Sequence, residues 1–465
     1  MSALLAVAAI ALAGWALAAL AVPPGRLRLA LAPLLGLGTW SASYSAVLFA
    51  LGASPAVRSG KDAVLALAGA AVLIMRRRIV RLSGSSASPG LSRGPEAAIP
   101  VPGGGLPRWL PSAVAVAAVL AAAFFLEHTL RYPDGGWDAW MIWNLRARFL
   151  ARAGGGFRAA FSPELLFWAH QDYPLMLPGI VAQVFLLAGA EPIWLPALVA
   201  AGIAALDVLV LAAALRELRG PGWGSVGALV LLATPCFIPF AANQQSDVPE
   251  GAFLLAAAVL AALAVETGAR RALALSGLAA SFACWTKNEG ALYGLSLAAA
   301  LLTVRWAPPR ERLRGVLLFG AGALPVLALL GWFKLRFAHV NDLLHGASAA
   351  RLVDPSRWGV LVIDLMRRIV YFQGWALWLI AEVAVLALVL PRLPPRPAAR
   401  AVGAALALAL AGTLPIYLLQ PHPLAWFFRA SFDRVLIQLW PSILLATILA
   451  LAAPAPPRPP ATART

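Results

Sequence analysis

The sequence predicts an all-α protein, built as a polytopic bundle of transmembrane helices. Of its 465 residues, 61% are hydrophobic and only 12% are charged, which gives a mean hydropathy of +0.80. A soluble fold of this size needs more polar surface than that. Apolar segments also recur along the chain, each near the roughly 20 residues that a helix needs to cross a bilayer. We therefore expect about 13–14 spans.

The apolar segments follow one another at short intervals. They run over about 2–22, 29–52, 62–75, 111–127, 173–189, 194–215, 222–241, 250–266, 272–286, 290–304, 315–333, 375–390, 400–419 and 435–453. Several are rich in alanine and glycine, which suits close packing of helices in lipid. Residues 1–22 carry no basic n-region, which favours a first span over a cleaved signal peptide.

Composition divides the chain into four parts. Residues 1–80 form an N-terminal three-helix membrane segment, and residues 81–110 form a flexible linker of serine, glycine and proline. Residues 111–453 form the main transmembrane domain, and residues 454–465 form a disordered proline-rich tail. We expect the two cysteines, Cys236 and Cys284, to be buried small side chains, because both fall within apolar runs.

A formal charge of +17 does not indicate nucleic-acid binding in such a chain. In membrane proteins, cations gather in cytoplasmic loops and beside anionic lipid. The arginine-rich runs "PPGRLR", "RRRIVR", "ETGARR", "RWAPPRERLR" and "PRLPPRPAAR" can all be cytoplasmic if the chain alternates sides. This predicts that residues 128–172, 242–249, 287–289, 334–374 and 420–434 lie outside, in a bacterial-type inner (plasma) membrane.

Two features of this arrangement need an explanation. Three apolar segments between 173 and 221 connect two regions expected outside, so one of them must be re-entrant or a half-span. The outer loops also hold several arginines that the positive-inside rule does not predict. All five histidines and half of the twenty acids fall in the predicted outer loops, which places any chemistry on that side.

The stretch "WDAWMIWNLRARFLARAGGG" predicts a helix that begins near Asp138 and ends at the glycines. Asn144, Arg148 and Arg152 form one stripe, and tryptophans lie broadly opposite, which is typical of an interfacial helix on the outer leaflet. Helix statistics favour Asp138 as an N-cap. A carboxylate here could equally serve as a general base for a substrate hydroxyl.

Four further stretches carry polar residues at predicted membrane boundaries. "HQDYP" holds His170 and Asp172, whose spacing is a weak signal for a metal site. In "NQQSDVPEG", Asp247 and Glu250 match a capping box, while Gln244 belongs to a run of amides suited to sugar hydroxyls. "TKNEG" offers Lys287 and Glu289 as an interfacial ion pair or Lys287 as a phosphate ligand.

The fourth stretch, "FDRVLIQLWP", places Arg434 in the expected first turn of the last span. The helix dipole disfavours a cation at that position. Either a neighbouring acid such as Asp433 or a bound phosphate would offset this effect.

These stretches, in this order, resemble the GT-C superfamily of membrane glycosyltransferases, near the protein O-mannosyltransferase and aminoarabinose-transferase branch (glycosyltransferase family 39). The resemblance rests on "GGWDAWMIWNLRARFL", "HQDYPLMLPG", "NQQSDVPEG", "TKNEG" and "FDRVLIQLWP" and covers roughly residues 110–450. It implies Asp138 as the catalytic base, with Asp134 as the second choice. The family usually has an Asp-Glu pair there, whereas Ala139 follows Asp138 in this chain.

The resemblance also implies a polyprenyl-phosphate sugar as donor and a glycan, lipid or protein hydroxyl as acceptor, within membrane lipid and without nucleic acid. The expected substrate-binding residues are Asp134, Arg148, His170, Asp172, Gln244, Asp247, Lys287, Glu289 and Arg434. No residue is assigned as a metal ligand, and no cofactor is required, although a divalent metal remains an open alternative.

Two other classes of protein stay in view. A secondary transporter would use acids within spans, such as Asp207 and Glu382. A catalytically inactive scaffold for envelope assembly would keep the fold and tolerate loss of Asp138.

Overall fold

The computed structural model describes residues 2–52, 54–83, 106–152, 156–162, 164–165, 169–338, 346–372, 375–376 and 396–451. Within these ranges the protein is helical, apart from one antiparallel pair of two-residue strands, β1 (Tyr371–Phe372) and β2 (Trp375–Ala376). The predicted all-α bundle is confirmed. The predicted tail at 454–465, most of the linker at 81–110 and most of the segment at 375–390 lie outside the described residues.

Sixteen α-helices follow one another in the described ranges. They are α1 (Ser2–Ala21), α2 (Arg26–Leu51), α3 (Pro55–Ser83), α4 (Leu110–Arg131), α5 (Asn144–Arg152), α6 (Met176–Ala188), α7 (Trp194–Arg219), α8 (Pro221–Ala233), α9 (Phe237–Ala242), α10 (Asp247–Thr267), α11 (Arg271–Thr286), α12 (Glu289–Thr303), α13 (Pro309–Arg336), α14 (Pro355–Val370), α15 (Pro397–Leu419) and α16 (Leu424–Ala450). A π-helical turn (Ala139–Trp143) leads into α5.

Eight helices in the described part of the chain are long and apolar enough to cross a membrane. They are α1, α2, α4, α7, α10, α13, α15 and α16. Helices α6, α8 and α12 are apolar but shorter. Helix α10 is the centre of the bundle, because 94% of the residues in its 18-residue apolar stretch are buried in the protein. In the corresponding stretch of α4, only 11% are buried.

Glycines bring some helix backbones into direct contact. A Cβ on Gly277 of α11 would lie 1.8 Å from the carbonyl oxygen of Phe319 on α13. A Cβ on Gly322 of α13 would lie 1.8 Å from the carbonyl oxygen of Ala274 on α11. Close approach of this kind supplies packing energy in lipid, where no hydrophobic effect drives helices together.

The N-terminal helices pack on the main body. Ser41 of α2 donates a hydrogen bond to the carbonyl of Met176 (2.7 Å), and Tyr44 donates one to the carbonyl of Leu150 (3.3 Å). Lys61 of α3 reaches the side-chain oxygen of Gln183 on α6 (2.5 Å). These contacts cross the predicted boundary near residue 80, although the division of the chain into domains stays a prediction.

Three of the arginine-rich connections, at 266–271, 305–314 and 396–400, meet at one end of the bundle. Arg270 pairs with Glu311 (2.7 Å), and the backbone N–H of Ala398 donates to Glu266 (3.2 Å). Arg219 donates to the carbonyl of Ile448, near the C-terminal end of α16. Arg434 lies 14 residues earlier in α16, about 21 Å along the helix axis, so it belongs to the other end.

Helix α6 is short for a membrane-spanning helix. Its 13 residues extend about 20 Å, short of the roughly 30 Å of a hydrocarbon core. Beyond it, Glu191 pairs with Arg152 (2.6 Å) and Arg148 (3.8 Å), which belong to the segment that precedes α6. These contacts join the loop after α6 to α5. The half-span expected between 173 and 221 stays a prediction.

Candidate functional site

Five charged side chains from four separate parts of the chain form a continuous series of ion pairs. Asp138 contacts Arg434 (Oδ2–Nη2, 2.7 Å), and Arg434 contacts Asp247 (Nη2–Oδ2, 3.0 Å). Asp247 contacts Lys287 (3.1 Å), and Lys287 contacts Glu289 (3.0 Å). We call these five residues the acid–base chain. The structure thus brings together five of the residues that the sequence singled out.

Asp247 is the centre of the acid–base chain. It is completely buried, and its Oδ1 also accepts a hydrogen bond from the amide of Gln438 (2.6 Å). Arg434 and Gln438 are four residues apart on α16, so they share one helix face. Asp247 therefore holds two cations and one amide. This satisfies a buried carboxylate, which is costly to leave unpaired.

Asp138 is held by contact between two loops. Gly135 has a φ of +77°, which glycine adopts without strain, and a Cβ there would lie 2.7 Å from the carbonyl oxygen of Asn243. The N–H of Gly136 donates to that same carbonyl (3.0 Å). The segment before Asp138 is therefore fixed on the loop that leads to Asp247.

Gln244 joins these loops to α5. Its side chain accepts a hydrogen bond from Asn144 (2.8 Å) and donates one to the carbonyl of Pro133 (3.0 Å). Gln244 is buried and has a φ of +55°, an uncommon backbone conformation for a residue other than glycine. His128 contacts the neighbouring Asn243 (2.8 Å). The run of amides thus supports the backbone around Asp138.

Neither predicted helix cap is present. The carboxylate of Asp138 makes no capping hydrogen bond to the π-helical turn that follows it, because it faces Arg434 instead. Ser246, rather than Asp247, is the residue before α10, and no side chain caps that helix. Both carboxylate oxygens of Glu250 are buried without a hydrogen bond in the described part of the chain. The capping predictions are wrong because cations bind Asp138 and Asp247.

The predicted environment of Arg434 is also wrong in one respect. Arg434 is the eleventh residue of α16, which begins at Leu424, so the dipole of the first turn does not act on it. Asp433, proposed as its partner, pairs instead with Arg368 of α14 (2.6 Å). Arg434 is stabilised by Asp138 and Asp247, which come from other parts of the chain.

A second cluster lies around Asp172, which is buried. Its Oδ2 accepts a hydrogen bond from Asn288 (2.7 Å), and Lys334 of α13 lies 3.3 Å from the same oxygen. Asn288 stands between Lys287 and Glu289, so this cluster adjoins the acid–base chain. Lys334 also donates to the side-chain oxygen of Asn288 (2.9 Å). Lys334 could not be recognised as a site residue from the sequence, because no motif surrounds it in α13.

Tyr173 links the two clusters through its ring. It stacks between Trp143 (ring centroids 5.4 Å apart) and His170 (4.8 Å), and Lys287 lies over it at 5.8 Å. Trp143 is fully buried, and Asn144 is 3% exposed. The predicted interfacial stripe is therefore wrong for these two residues, since the helix packs into the protein. Trp137 and Trp140 remain 44% and 46% exposed.

Burial and charge shift two pKa values in this region. Burial by itself lowers the pKa of Lys287, but the carboxylates of Asp247 and Glu289 outweigh it and hold that pKa well above its usual range. Burial raises the pKa of Tyr173 well above its usual range, and Glu289 adds to the effect. Lys287 is therefore a fixed cation, which contrasts with the solvated pair expected from the sequence.

An open pocket of about 550 Å³ is lined by residues that flank Asp138 in the sequence, although Asp138 itself does not line it. Arg131, Tyr132, Pro133, Asp134, Gly135, Trp140 and Arg148 line it. Arg148 lies 3.9 Å from Asp134 and 3.8 Å from Glu191. The pocket thus combines two arginines, one accessible carboxylate and two exposed aromatic rings, a set that suits a charged or hydroxyl-bearing ligand.

The predicted site residues differ in how accessible they are. Asp134 is exposed, and Asp138, Arg148 and Arg434 keep 15–21% of their side-chain surface. Asp172, Gln244, Asp247 and Lys287 are buried. Across the ranges that the structure describes, no three histidine, cysteine, aspartate or glutamate residues gather as metal ligands. His339 and His345 lie outside those ranges.

Residues 172–332 match the family described as dolichyl-phosphate-mannose-protein mannosyltransferase. This match confirms the predicted resemblance to the GT-C superfamily and supports a membrane glycosyltransferase of the GT-C type. The matched region begins at Asp172 and contains Asp247, Lys287 and Glu289, while Asp138 and Arg434 lie outside it. No curated protein matches the chain.

Proposed function

For a membrane glycosyltransferase of the GT-C type, we propose transfer of a sugar from a polyprenyl-phosphate-linked donor to an acceptor hydroxyl at the outer face of the membrane. The observation that carries this proposal is the ion pair between Asp138 and Arg434. It places one accessible carboxylate and one accessible cation side by side, at one end of a bundle of apolar helices. A general base and an anion-binding group are what this reaction needs.

Asp138 acts as the base. Only its Oδ2 contacts Arg434, and Oδ1 makes no hydrogen bond to the described residues, so Oδ1 can accept a proton. The acceptor oxygen bonds to the anomeric carbon as its proton passes to Asp138. The bond between that carbon and the phosphate oxygen breaks, and its electron pair leaves with the polyprenyl phosphate.

Arg434 binds the donor phosphate. Its Nε and Nη2 contact Asp247 and Asp138, and Nη1 makes no hydrogen bond within the described ranges. A guanidinium can serve several acceptors at once because its N–H groups point in fixed, separate directions. The leaving phosphate gains negative charge as the bond breaks, so a cation held in place stabilises the transition state.

The acid–base chain has no spare positive charge. Three carboxylates (Asp138, Asp247 and Glu289) face two cations (Arg434 and Lys287). Lys287 is 2% exposed and contacts two of those acids, so we assign it to positioning Asp247 rather than to the phosphate. We assign the additional cations for the donor to Arg131 and Arg148 of the pocket.

The remaining predicted residues take supporting roles in this proposal. Asp134 and Trp140 line the pocket and suit sugar hydroxyls and the apolar face of a sugar ring. Gln244 fixes the loop before Asp138, Asp172 fixes Asn288, and His170 stacks on Tyr173. The end of the bundle opposite the site carries three of the arginine-rich connections, which supports an outward-facing site by the positive-inside rule.

The two alternative classes gain less support. Asp207, which a transporter would use, is completely buried in α7, and its carboxylate contacts no hydrogen-bonding group in the part of the chain described. Glu382 lies outside the described residues. An inactive scaffold would not need Asp138 beside Arg434.

A transfer assay tests the proposal. Purified protein in liposomes is supplied with a panel of polyprenyl-phosphate sugars, and sugar transfer is compared for the wild type, Asp138→Asn and the matched control Asp134→Asn. We expect Asp138→Asn to lose activity by a factor of about 10²–10⁴, with a much smaller loss for Asp134→Asn. Normal transfer by Asp138→Asn would refute the assignment of the base. Gradient-driven solute movement that Asp207→Ala abolishes would favour a transporter.

A further inference from the structure

Helix α14 (Pro355–Val370) has an unusual distribution of polar and apolar residues. Its outward side carries Trp358, Val362, Ile363, Met366 and Val370, which are 42–54% exposed. Its inward side is mixed: Leu361 and Asp364 are 2% and 3% exposed, and the side chain of Arg368 is 20% exposed. A helix on a water-covered surface turns its apolar residues towards the protein and does not expose a second apolar side of this size.

Polar contacts account for the inward side. Arg357 donates hydrogen bonds to the carbonyls of Tyr417 (3.2 Å) and Gln420 (2.9 Å), at the end of α15. Arg368 pairs with Asp433 of α16 at 2.6 Å. These bonds hold α14 against two membrane-spanning helices and leave its apolar side turned away from them. No residue that the structure describes covers this apolar side, whose five side chains are 42–54% exposed.

Length and charge exclude a spanning role for α14. Its 16 residues extend about 24 Å, and they include three arginines and one aspartate. Arg367, next to the apolar side, is 67% exposed, and Trp358 and Tyr371 lie at its two ends. A basic and aromatic border around an apolar face is typical of helices that lie in the headgroup region of a bilayer.

We propose that α14 lies in the lipid–water interface. Its apolar side is buried in the leaflet at the end of the bundle that holds the acid–base chain, and Arg367 lies at the phosphate headgroups. The occupant of this surface is membrane lipid, because α14 is held against two membrane-spanning helices and its apolar side has a basic and aromatic border. Asp433 and Arg434 are consecutive, so the Arg368–Asp433 ion pair fixes the acid–base chain at headgroup depth. This proposal does not depend on the proposed reaction.

Site-directed spin labelling of the full chain in liposomes tests it. Single cysteines replace Val362, Ile363 and Met366 in a background that carries Cys236→Ala and Cys284→Ala. Each nitroxide is probed with oxygen, which concentrates in lipid, and with a water-soluble nickel complex. Leu120→Cys, on the exposed side of spanning helix α4 (65% exposed), is the lipid reference. Glu164→Cys, at an exposed acidic position, is the water reference.

We expect labels at 362, 363 and 366 to collide with oxygen as the lipid reference does and to lose most of the nickel collisions seen at 164. Nickel collisions equal to those at 164 would show that the surface faces water, and they would overturn the proposal. Protection from both reagents would show that protein covers the surface, as in an oligomer of this chain, and would overturn it equally.

Discussion

Arg434 shows how a charge is accommodated in a helix of low polarity. Its guanidinium binds Asp247, which is fully buried, on one edge and Asp138, which is partly exposed, on the other. The buried partner neutralises most of the cost of placing a cation there. The exposed partner leaves the ion pair open to a ligand. This division of roles rests on Asp247 being tied to Lys287 and Gln438 as well.

Asp247→Asn should destabilise the folded protein by about 3 kcal/mol, since it leaves two buried cations short of a carboxylate. The measurement is thermal unfolding in a fixed detergent. Glu127→Gln makes the same acid-to-amide change in the exposed Glu127–Arg131 pair and should leave the unfolding temperature unchanged. Equal effects of the two substitutions would show that the acid–base chain is not a buried network.

Stability should fall at alkaline pH. A lysine whose pKa is raised in the folded state contributes stability that is complete below its unfolded pKa, near 10.5, and is lost as pH rises towards the folded value. Tyr173, whose raised pKa favours the neutral phenol, acts with the same sign. We therefore expect Lys287 and Tyr173 to leave the unfolding temperature unaffected between pH 7 and 9 and to lower it above about pH 10.5.

Tyr173→Phe separates the two contributions to this alkaline loss. The variant should keep the loss of stability that deprotonation of Lys287 causes. Its unfolding temperature should therefore still fall above the same pH, but less steeply than in the wild type. An unfolding temperature that rises with pH in this range would contradict the burial of Lys287 between two carboxylates.

At the scale of elements, arginines in the outer loops serve the ends of helices. Arg351 donates to the carbonyl of Leu419, and Arg357 donates to those of Tyr417 and Gln420, where α15 ends. Arg146 donates to the carbonyls of residues 169, 170 and 173 ahead of α6. Carbonyls at the C-terminal end of α15 lack intrahelical partners and carry partial negative charge, whereas the carbonyls that Arg146 binds belong to the loop before α6. These arginines are therefore structural, which explains why they depart from the positive-inside rule.

Gly322→Ala should separate α11 from α13, because its Cβ would overlap the carbonyl of Ala274. We expect a loss of about 1–3 kcal/mol, as for other overpacked contacts. Gly320 lies two residues away on the same helix and has open space where its Cβ would be. Gly320→Ala should be neutral or should stabilise by up to about 1 kcal/mol. Thermal unfolding of both variants makes the comparison, and a neutral Gly322→Ala would contradict the close approach.

The apolar segments of the sequence predicted most of the helices, but they did not predict α14. The apolar segments at 250–266 and 315–333 correspond to α10 and α13, because composition alone specifies a long apolar helix. The half-span expected between 173 and 221 followed from counting sides, and it stays a prediction. Helix α14 was missed because its apolar side faces outward and its run of apolar residues is too short for a span.

The candidate site was predicted in part, for a similar reason. Asp138, Asp247, Lys287 and Arg434 stand out in the sequence as polar residues at the ends of apolar runs. Their pairing joins residues up to 296 positions apart, and no local pattern encodes it. Gln438 could have been noticed from its spacing to Arg434, whereas the burial of Glu250 depends on the packing of the whole bundle.

The whole molecule has two chemically different ends. One end holds the acid–base chain, the pocket and α14, and the other holds three of the arginine-rich connections. Single cysteines at Ala190, beyond α6, and at Arg310, in the first turn of α13, test which end is which. In intact cells we expect a membrane-impermeant maleimide to label 190 and to reach 310 only after permeabilisation. The reverse pattern would place the site inside.

The central claim is that Asp138 and Arg434 act as one unit in sugar transfer, and a double-mutant cycle tests it most directly. Single-turnover rates are measured with a polyprenyl-phosphate sugar for the wild type, Asp138→Asn, Arg434→Gln and the double variant. Groups that act together lose activity non-additively, so we predict that the double variant is about as slow as Asp138→Asn alone. Losses that multiply would show that the two residues act independently and would contradict the account.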